Sequence, residues 1–129
     1  MKNQMTIREV KTITGVSDHA LRYYEKVGLL TDIGRSAGGR RYYSPLDVEW
    51  IRTLKLLRST GMPIRKMRVL ARLRRLGDAG IEERIAYFKT YREELLQQIE
   101  ARREAIKTID KKIARHRRKL HQSRNRTTR

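Results

Sequence analysis

The sequence contains no cysteine, two prolines and one tryptophan, and aromatic residues make up only 6% of it. Without thiols there is no disulfide, no zinc ribbon and no thiol-based redox or metal switch in this chain. The lack suits a reducing compartment without requiring one. No apolar run approaches the roughly 20 residues of a membrane span, and the N-terminus has no signal-peptide core. The expected setting is cytoplasmic, with no membrane association. No nucleophile, base and orienting acid cluster together, and no phosphate-cradling loop appears, so an enzyme is not expected. His116 and His121 are five residues apart, poorly placed for one helix face, and no metal or other cofactor is implied.

Carboxylates are also scarce: 14 Asp and Glu stand against 32 Lys and Arg, giving a net charge of +18 over 129 residues. Residues 1–76 carry 17 basic and 6 acidic side chains, residues 77–113 carry 8 of each, and residues 114–129 carry 7 basic and none acidic. A basic head, a neutral middle and a basic tail correspond to a polyanion-binding module, a protein-contact element and an electrostatic arm. An interfacial membrane helix would need one broad apolar face, which the head lacks. Hydrophobic residues amount to 38%, so only part of the chain can bury a core of its own.

Helix signals begin at Thr6-Ile7-Arg8-Glu9, which has the form of a capping box. The spacing predicts a helix over 7–14 with Ile7, Val10 and Ile13 on its apolar face, closed by a left-handed Gly15. Ser17 then caps a second helix bearing Ala20, Leu21 and Tyr24, up to Val27-Gly28. Two short helices joined by a tight turn form a helix-turn-helix. Leu29-Leu30 and Arg41-Tyr42-Tyr43 are strand candidates, with the glycine- and arginine-bearing segment 34–40 between them as the tip of a hairpin wing. Tyr42 and Tyr43 must then point to opposite faces. Ser44, Pro45 and Asp47 open a third helix with Val48, Ile51, Leu54 and Leu57 as its stripe, and Trp50 and Leu56 close to that face. Pro63 opens a fourth, carrying Ile64, Met67, Leu70, Ala71 and Leu73.

From Ile81 onward, alternating steps of four and three give Ile81, Ile85, Phe88, Arg92, Leu95, Ile99, Arg102, Ile106, Ile109, Ile113, His116 and Leu120. Nine of these twelve positions are apolar. That is a heptad seam, and a seam requires a second helix. The natural partner is a second copy, with Ile85, Phe88, Leu95, Ile99, Ile106, Ile109 and Ile113 as dimerisation contacts. The pattern does not distinguish parallel from antiparallel pairing. The fold expected is therefore mainly α: residues 1–76 a winged-helix DNA-binding domain, 77–80 a hinge, 81–120 a dimerisation coiled-coil helix, and 121–129 a basic, disordered tail.

In a helix-turn-helix the N-terminal half of the second helix enters the major groove. Ser17, His19, Arg22 and Tyr23 lie there. Arg22 can fork onto a guanine edge or a phosphate, His19 can do either more weakly, and the Tyr23 hydroxyl can reach a phosphate oxygen. The alternative is a solvated face with Tyr23 half-buried. In the wing, Gly39 would let backbone amides approach phosphate while Arg40 and Arg41 supply charge and Tyr42 flanks them; by themselves these residues also suit an ordinary surface turn. Arg65 and Lys66, at the start of the fourth helix, form a third candidate contact.

The stretches Met5-Thr6-Ile7, Gly15-Val16-Ser17, Leu21-Arg22-Tyr23-Tyr24-Glu25-Lys26-Val27-Gly28-Leu29-Leu30, Arg41-Tyr42-Tyr43, Asp47-Val48 and Leu57-Arg58-Ser59-Thr60-Gly61-Met62, with the long terminal helix, resemble the MerR family of bacterial transcriptional regulators. The resemblance covers about residues 5–120. It implies homodimers whose long helices pair antiparallel, each head taking half of a palindromic operator in double-stranded DNA. Activators of the family bend and untwist an over-long promoter spacer so that RNA polymerase can engage it. Arg22 and Tyr23 would then serve the major-groove side, Gly39, Arg40 and Arg41 the wing, and Arg65 and Lys66 the flanking backbone. The implied localisation is cytoplasmic and nucleoid-associated.

Departures from the family also matter. Metal-sensing members carry cysteines near the end of the dimerisation helix, and this chain has none. Drug-sensing members append a ligand-binding domain, for which these residues leave no room. Val48-Glu49-Trp50-Ile51 with Thr60-Gly61-Met62-Pro63 most resembles the aldehyde-responsive branch, with Leu56 nearest to the position of that branch's cysteine. A contrasting reading, a non-specific nucleic-acid-binding protein coating nucleoid DNA or RNA, rests on the net charge alone and predicts equal affinity for unrelated duplexes.

Overall fold

The computed structural model describes residues 4–127. In chain order these form β1 (Met5–Thr6), α1 (Ile7–Thr14), α2 (Asp18–Lys26), β2 (Gly34–Arg35), β3 (Arg41–Tyr43), α3 (Pro45–Ser59), α4 (Ile64–Arg75), a 3-10 turn (Gly77–Gly80) and α5 (Ile81–Thr127). The chain divides into two compact units after Arg84. No described helix is long and apolar enough to cross a membrane.

The first unit is a helical head with a small sheet. The Thr6 hydroxyl accepts from the Glu9 amide and the Glu9 carboxylate accepts from the Thr6 amide, so α1 starts on the predicted capping box. Gly15 closes it with φ of 71°. The buried side of α1 differs from expectation: Ile13 is 45% exposed, and Thr14 takes the core position beside Val10. Positions 7, 10 and 14 share a face, while 13 lies about 90° away from it. A buried threonine is tolerated because its hydroxyl donates to Val10 O at 2.7 Å and accepts from the Val16 amide.

Leu29 and Leu30 are not a strand. Both are buried, and both of their amides donate to Tyr24 O, while the Gly28 amide donates to Glu25 O. The two leucines therefore complete the C-terminal cap of α2, a Schellman arrangement whose apolar residue after the glycine packs inward. The outer strand of the wing is β2, lying within the stretch that the sequence assigned to the tip. The sheet order is β1-β3-β2, all antiparallel, with Met5 opposite Tyr43 and Arg35 opposite Arg41. Only residues 36–40 remain as the turn, closed by Ser36 N–H to Arg40 O and by Gly39 at φ of 81°. Along β3, Tyr43 is buried and Tyr42 half-buried.

Ser44 and Asp47 form a second capping box, and Pro45 occupies the first turn of α3. Val48, Trp50, Ile51, Leu54 and Leu57 are buried, but Leu56, expected near that face, is 62% exposed. The Trp50 indole donates to Leu29 O at 2.7 Å, and the Arg74 guanidinium sits 5.4 Å over its ring. That satisfies the one polar atom of a side chain otherwise in the core. Gly80 is buried against the end of α4, where a Cβ would collide with the Leu73 carbonyl.

The second unit is the remainder of α5. The helix continues through Thr127, so residues 121–127, read from sequence as part of a disordered tail, are helical. No glycine or proline interrupts this segment, and basic side chains at a helix C-terminus complement its dipole. Residues 128–129 lie outside the described part.

Candidate nucleic-acid interface

The turn between α1 and α2 is fixed by several independent contacts. Ser17 Oγ accepts from the Ala20 amide at 3.1 Å, so this side chain caps α2. Lys11 and Asp18 pair across the turn at 2.8 Å, and the Lys55 ammonium donates to Thr14 O at 2.9 Å. The lysine's hydrogen bond holds the Asp18 carboxyl below the usual aspartate range. At the other end, the Arg68 guanidinium donates to Val27 O, binding the last turn of α2 to α4. Leu21 and Tyr24 point inward, and burial raises the Tyr24 phenol above its ordinary pKa. His19, Arg22 and Tyr23 are left on the exposed side.

The wing is tied to α2 through one residue. Glu25 accepts from Arg41 at 2.7 Å and from Arg35 at 3.1 Å, one carboxylate oxygen for each. All three side chains are partly screened from solvent, and charge-assisted bonds of this kind hold geometry well. Arg35 also donates to Gly39 O at the tip.

Between α1, α2 and the wing lies a groove of about 690 Å³ lined by Thr6, Ile7, Arg8, Arg22, Gly39, Arg40, Arg41 and Tyr42. Four arginines converge on it and none of its lining residues is acidic. Of the residues singled out from sequence, Arg22, Gly39, Arg40, Arg41 and Tyr42 come together here. Ser17, His19, Tyr23, Arg65 and Lys66 do not line it. Arg65 is exposed at the start of α4, Lys66 is half-buried, and Pro63 gives that helix no side-chain cap. Thr6, Ile7 and Arg8 were read from sequence only as the start of α1, not as members of this groove. Their signal was weak because only the pairing of β1 with β3 carries the start of α1 to the wing. Among the described residues, no group of three His, Cys, Asp or Glu side chains could hold a metal ion.

Residues 5–74 match the family model described as the MerR HTH family regulatory protein. An uncharacterised HTH-type transcriptional regulator of Haemophilus influenzae is 32% identical over 100 residues, covering 78% of this chain and 74% of that protein. The HTH-type transcriptional regulator AdhR of Bacillus subtilis is 32% identical over 93 residues, covering 72% and 66%. Among solved structures, HiNmlR, a MerR family regulator lacking the sensor domain and bound to promoter DNA, superposes with a TM-score of 0.73 at 30% identity, over 86% of this chain and 88% of that one. A putative MerR family regulator from Listeria monocytogenes gives 0.75 at 33% identity, over 84% and 83%.

Proposed function

The chain belongs to the MerR family of helix-turn-helix regulators, and from that premise we propose that it acts as a homodimer on a palindromic operator, distorting the DNA it holds. Family and fold make it a sequence-specific DNA-binding transcriptional regulator and not an enzyme. The observation that carries the finer reading is the groove: Arg8, Arg22, Arg40 and Arg41 converge with no carboxylate among the lining residues. Such a surface takes phosphate from one side while the exposed face of α2 is offered to base edges. Phosphate contacts then set register and base contacts set specificity.

In this reading Arg22, with Tyr23 and His19 beside it, faces the major groove. The wing residues Gly39, Arg40, Arg41 and Tyr42 hold one stretch of backbone, and Arg65 and Lys66 hold the flank. Bending the duplex costs on the order of 1–6 kcal/mol and is repaid by the added backbone contacts. RNA polymerase is the partner that would respond to the altered DNA geometry.

The exposed stripe of Ile85, Phe88, Ile99, Ile106, Ile109 and Ile113, continued by half-buried Leu95, supports dimerisation through α5. Charge favours the antiparallel arrangement. Residues 81–102 carry five carboxylates and four bases, whereas 103–127 carry two carboxylates and ten bases. Parallel pairing would set the two cationic halves side by side; antiparallel pairing sets each against a nearly neutral one. A two-fold axis near Arg102 then brings Ile99 to Ile106 and Leu95 to Ile109 of the partner helix. The likeness to the aldehyde-responsive branch remains part of this proposal, with Leu56 in place of its cysteine, so any signal sensed reaches this chain without thiol chemistry.

Selection from a pool of random duplexes tests the reading. Enrichment of a palindrome is expected, and Arg22→Ala should weaken binding to it by about 1–3 kcal/mol per half-site while the dimer persists. Equal affinity for unrelated duplexes would instead leave a non-specific coating protein.

A further inference from the structure

Basic side chains along α5 change character near Asp110. Upstream of it several have local partners: Arg103 lies 4.0 Å from Glu100, and Lys107 lies 3.0 Å from Glu104. Asp110 is the last carboxylate in the sequence. For Arg115, Arg117, Arg118 and Lys119 no acidic side chain falls within four positions along the helix, so the usual i,i+3 and i,i+4 carboxylate partners are missing there.

These cations are not spread evenly around the helix. At about 100° per residue, Lys111, Lys112, Arg115, Arg118, Lys119 and Arg126 fall within one arc of about 120°. All six are exposed. The apolar line of Ile109, Ile113 and Leu120 runs along the other side, where with Lys112, His116 and Arg117 it borders a shallow depression of about 410 Å³. Pairing of two α5 helices would cover the apolar line and leave the cationic arc open.

We propose that this arc is a second, sequence-independent contact surface for the phosphates of duplex DNA, separate from the groove of the head. The proposal rests on the reading of the chain as a DNA-binding dimer. From Lys111 to Arg126 the arc rises about 22 Å, a length over which a duplex presents on the order of a dozen negative charges. Three of its six residues are arginines, whose planar forks match phosphate oxygens. A membrane surface fits less well, because an interfacial helix inserts its apolar face and here that face is the seam. The partner helix fits less well too, because the arc points away from it.

The test uses the full chain and the variant R115Q/R118Q/K119Q/R126Q; glutamine keeps helix propensity while removing charge. Binding to a random-sequence duplex of about 40 base pairs is measured across a salt series, where each phosphate contact contributes about 0.9 to the slope of log K against log salt. The slope should become shallower by at least about 2, with affinity at moderate salt down about tenfold or more and sedimentation still reporting a dimer. An unchanged slope would overturn the proposal. So would dissociation to monomers, which would assign these cations to the partner helix. Loss of binding to phosphatidylserine-containing vesicles with the DNA slope unaltered would overturn it in favour of a lipid surface. If the unmodified chain selects a palindrome while the variant's slope is unchanged, the arc fails and the operator reading stands; if the unmodified chain binds no duplex, both fail.

Discussion

The head and the helix beyond it are built from similar residues yet resolve their apolar side chains in opposite ways. In the head, Ile51 is fully buried and Leu21, Leu54, Met67 and Leu70 lie with it in a closed core. In the helix, Ile106 is 57% exposed, and Ile85, Ile99, Ile109 and Ile113 resemble it. Charges divide the same way. Arginines and lysines of the head hold carbonyls or carboxylates on other elements, as Arg41, Lys55, Arg68 and Arg74 do. Along α5 the ion pairs Arg92–Glu93, Arg103–Glu100 and Lys107–Glu104 are local, three residues apart or fewer. A region that satisfies its own groups can fold by itself in principle; a heptad stripe left in water is, in the proposed dimer, half of an interface.

The sharpest way to break this comparison is to charge the middle of the stripe. Ile99→Glu with Ile106→Glu would place four carboxylates at the centre of the paired helices. Burying an isoleucine contributes about 1.5–3 kcal/mol, and an unpaired buried charge is costlier still. The dimer should weaken by at least about three orders of magnitude, read by sedimentation equilibrium. Helical circular dichroism should fall with it, since a long helix draws most of its stability from packing. A variant that stays dimeric would show that the stripe is not the interface.

Legibility in the sequence follows the same division. The long helix announces itself because a heptad repeat is periodic and local, and the capping boxes at Thr6 and Ser44 are each contained in four residues. The reading failed where a long-range contact decides. Leu29-Leu30 resembles a strand by composition, but a hydrogen-bonded cap and the Trp50 indole from 21 residues away fix it as the end of α2. Thr14 takes a core place that Ile13 would fill by hydropathy, because Val10 O and the Val16 amide satisfy its hydroxyl. Arg22, Arg40 and Arg41 were visible as wing and recognition-helix residues. Arg8 was not, since it joins them only through the sheet register. Polarity and charge suggest a disordered tail, a criterion that ignores the helix propensity of its arginines and Gln122 and the helix that the segment continues.

A smaller effect is expected at the contact that couples the wing to α2. Glu25→Gln removes the charge that exposed Arg35 and half-buried Arg41 share. The loss should be about 1 kcal/mol, below the roughly 1.5–3 kcal/mol of hydrogen bonds to charged groups because the site is partly open to solvent, and should concentrate in the wing. Amide exchange across 34–43 should accelerate while the amides of α3 stay protected. Uniform acceleration through the whole head would mean that Glu25 supports the core rather than the wing. Dimer formation should be unaffected, which keeps this variant distinct from the seam.

The smallest effect belongs to the Lys11–Asp18 pair, which links α1 to α2 on an exposed surface. The Asp18 pKa is depressed by the lysine, so the folded state favours the ionised carboxylate. The stability this adds is present above the ordinary aspartate pKa and is lost as pH falls through the depressed value. Lys11→Gln should therefore lower stability slightly at neutral pH and flatten the acid limb by the same small amount, the two proteins converging at low pH. The effect is small because an exposed pair is well screened. Raising the salt concentration should mimic the substitution in the unmodified chain. If the acid limb persists in Lys11→Gln at high salt, other carboxylates set it, and the hold on the helix-turn-helix lies in the Ser17 cap and the Lys55 bridge instead.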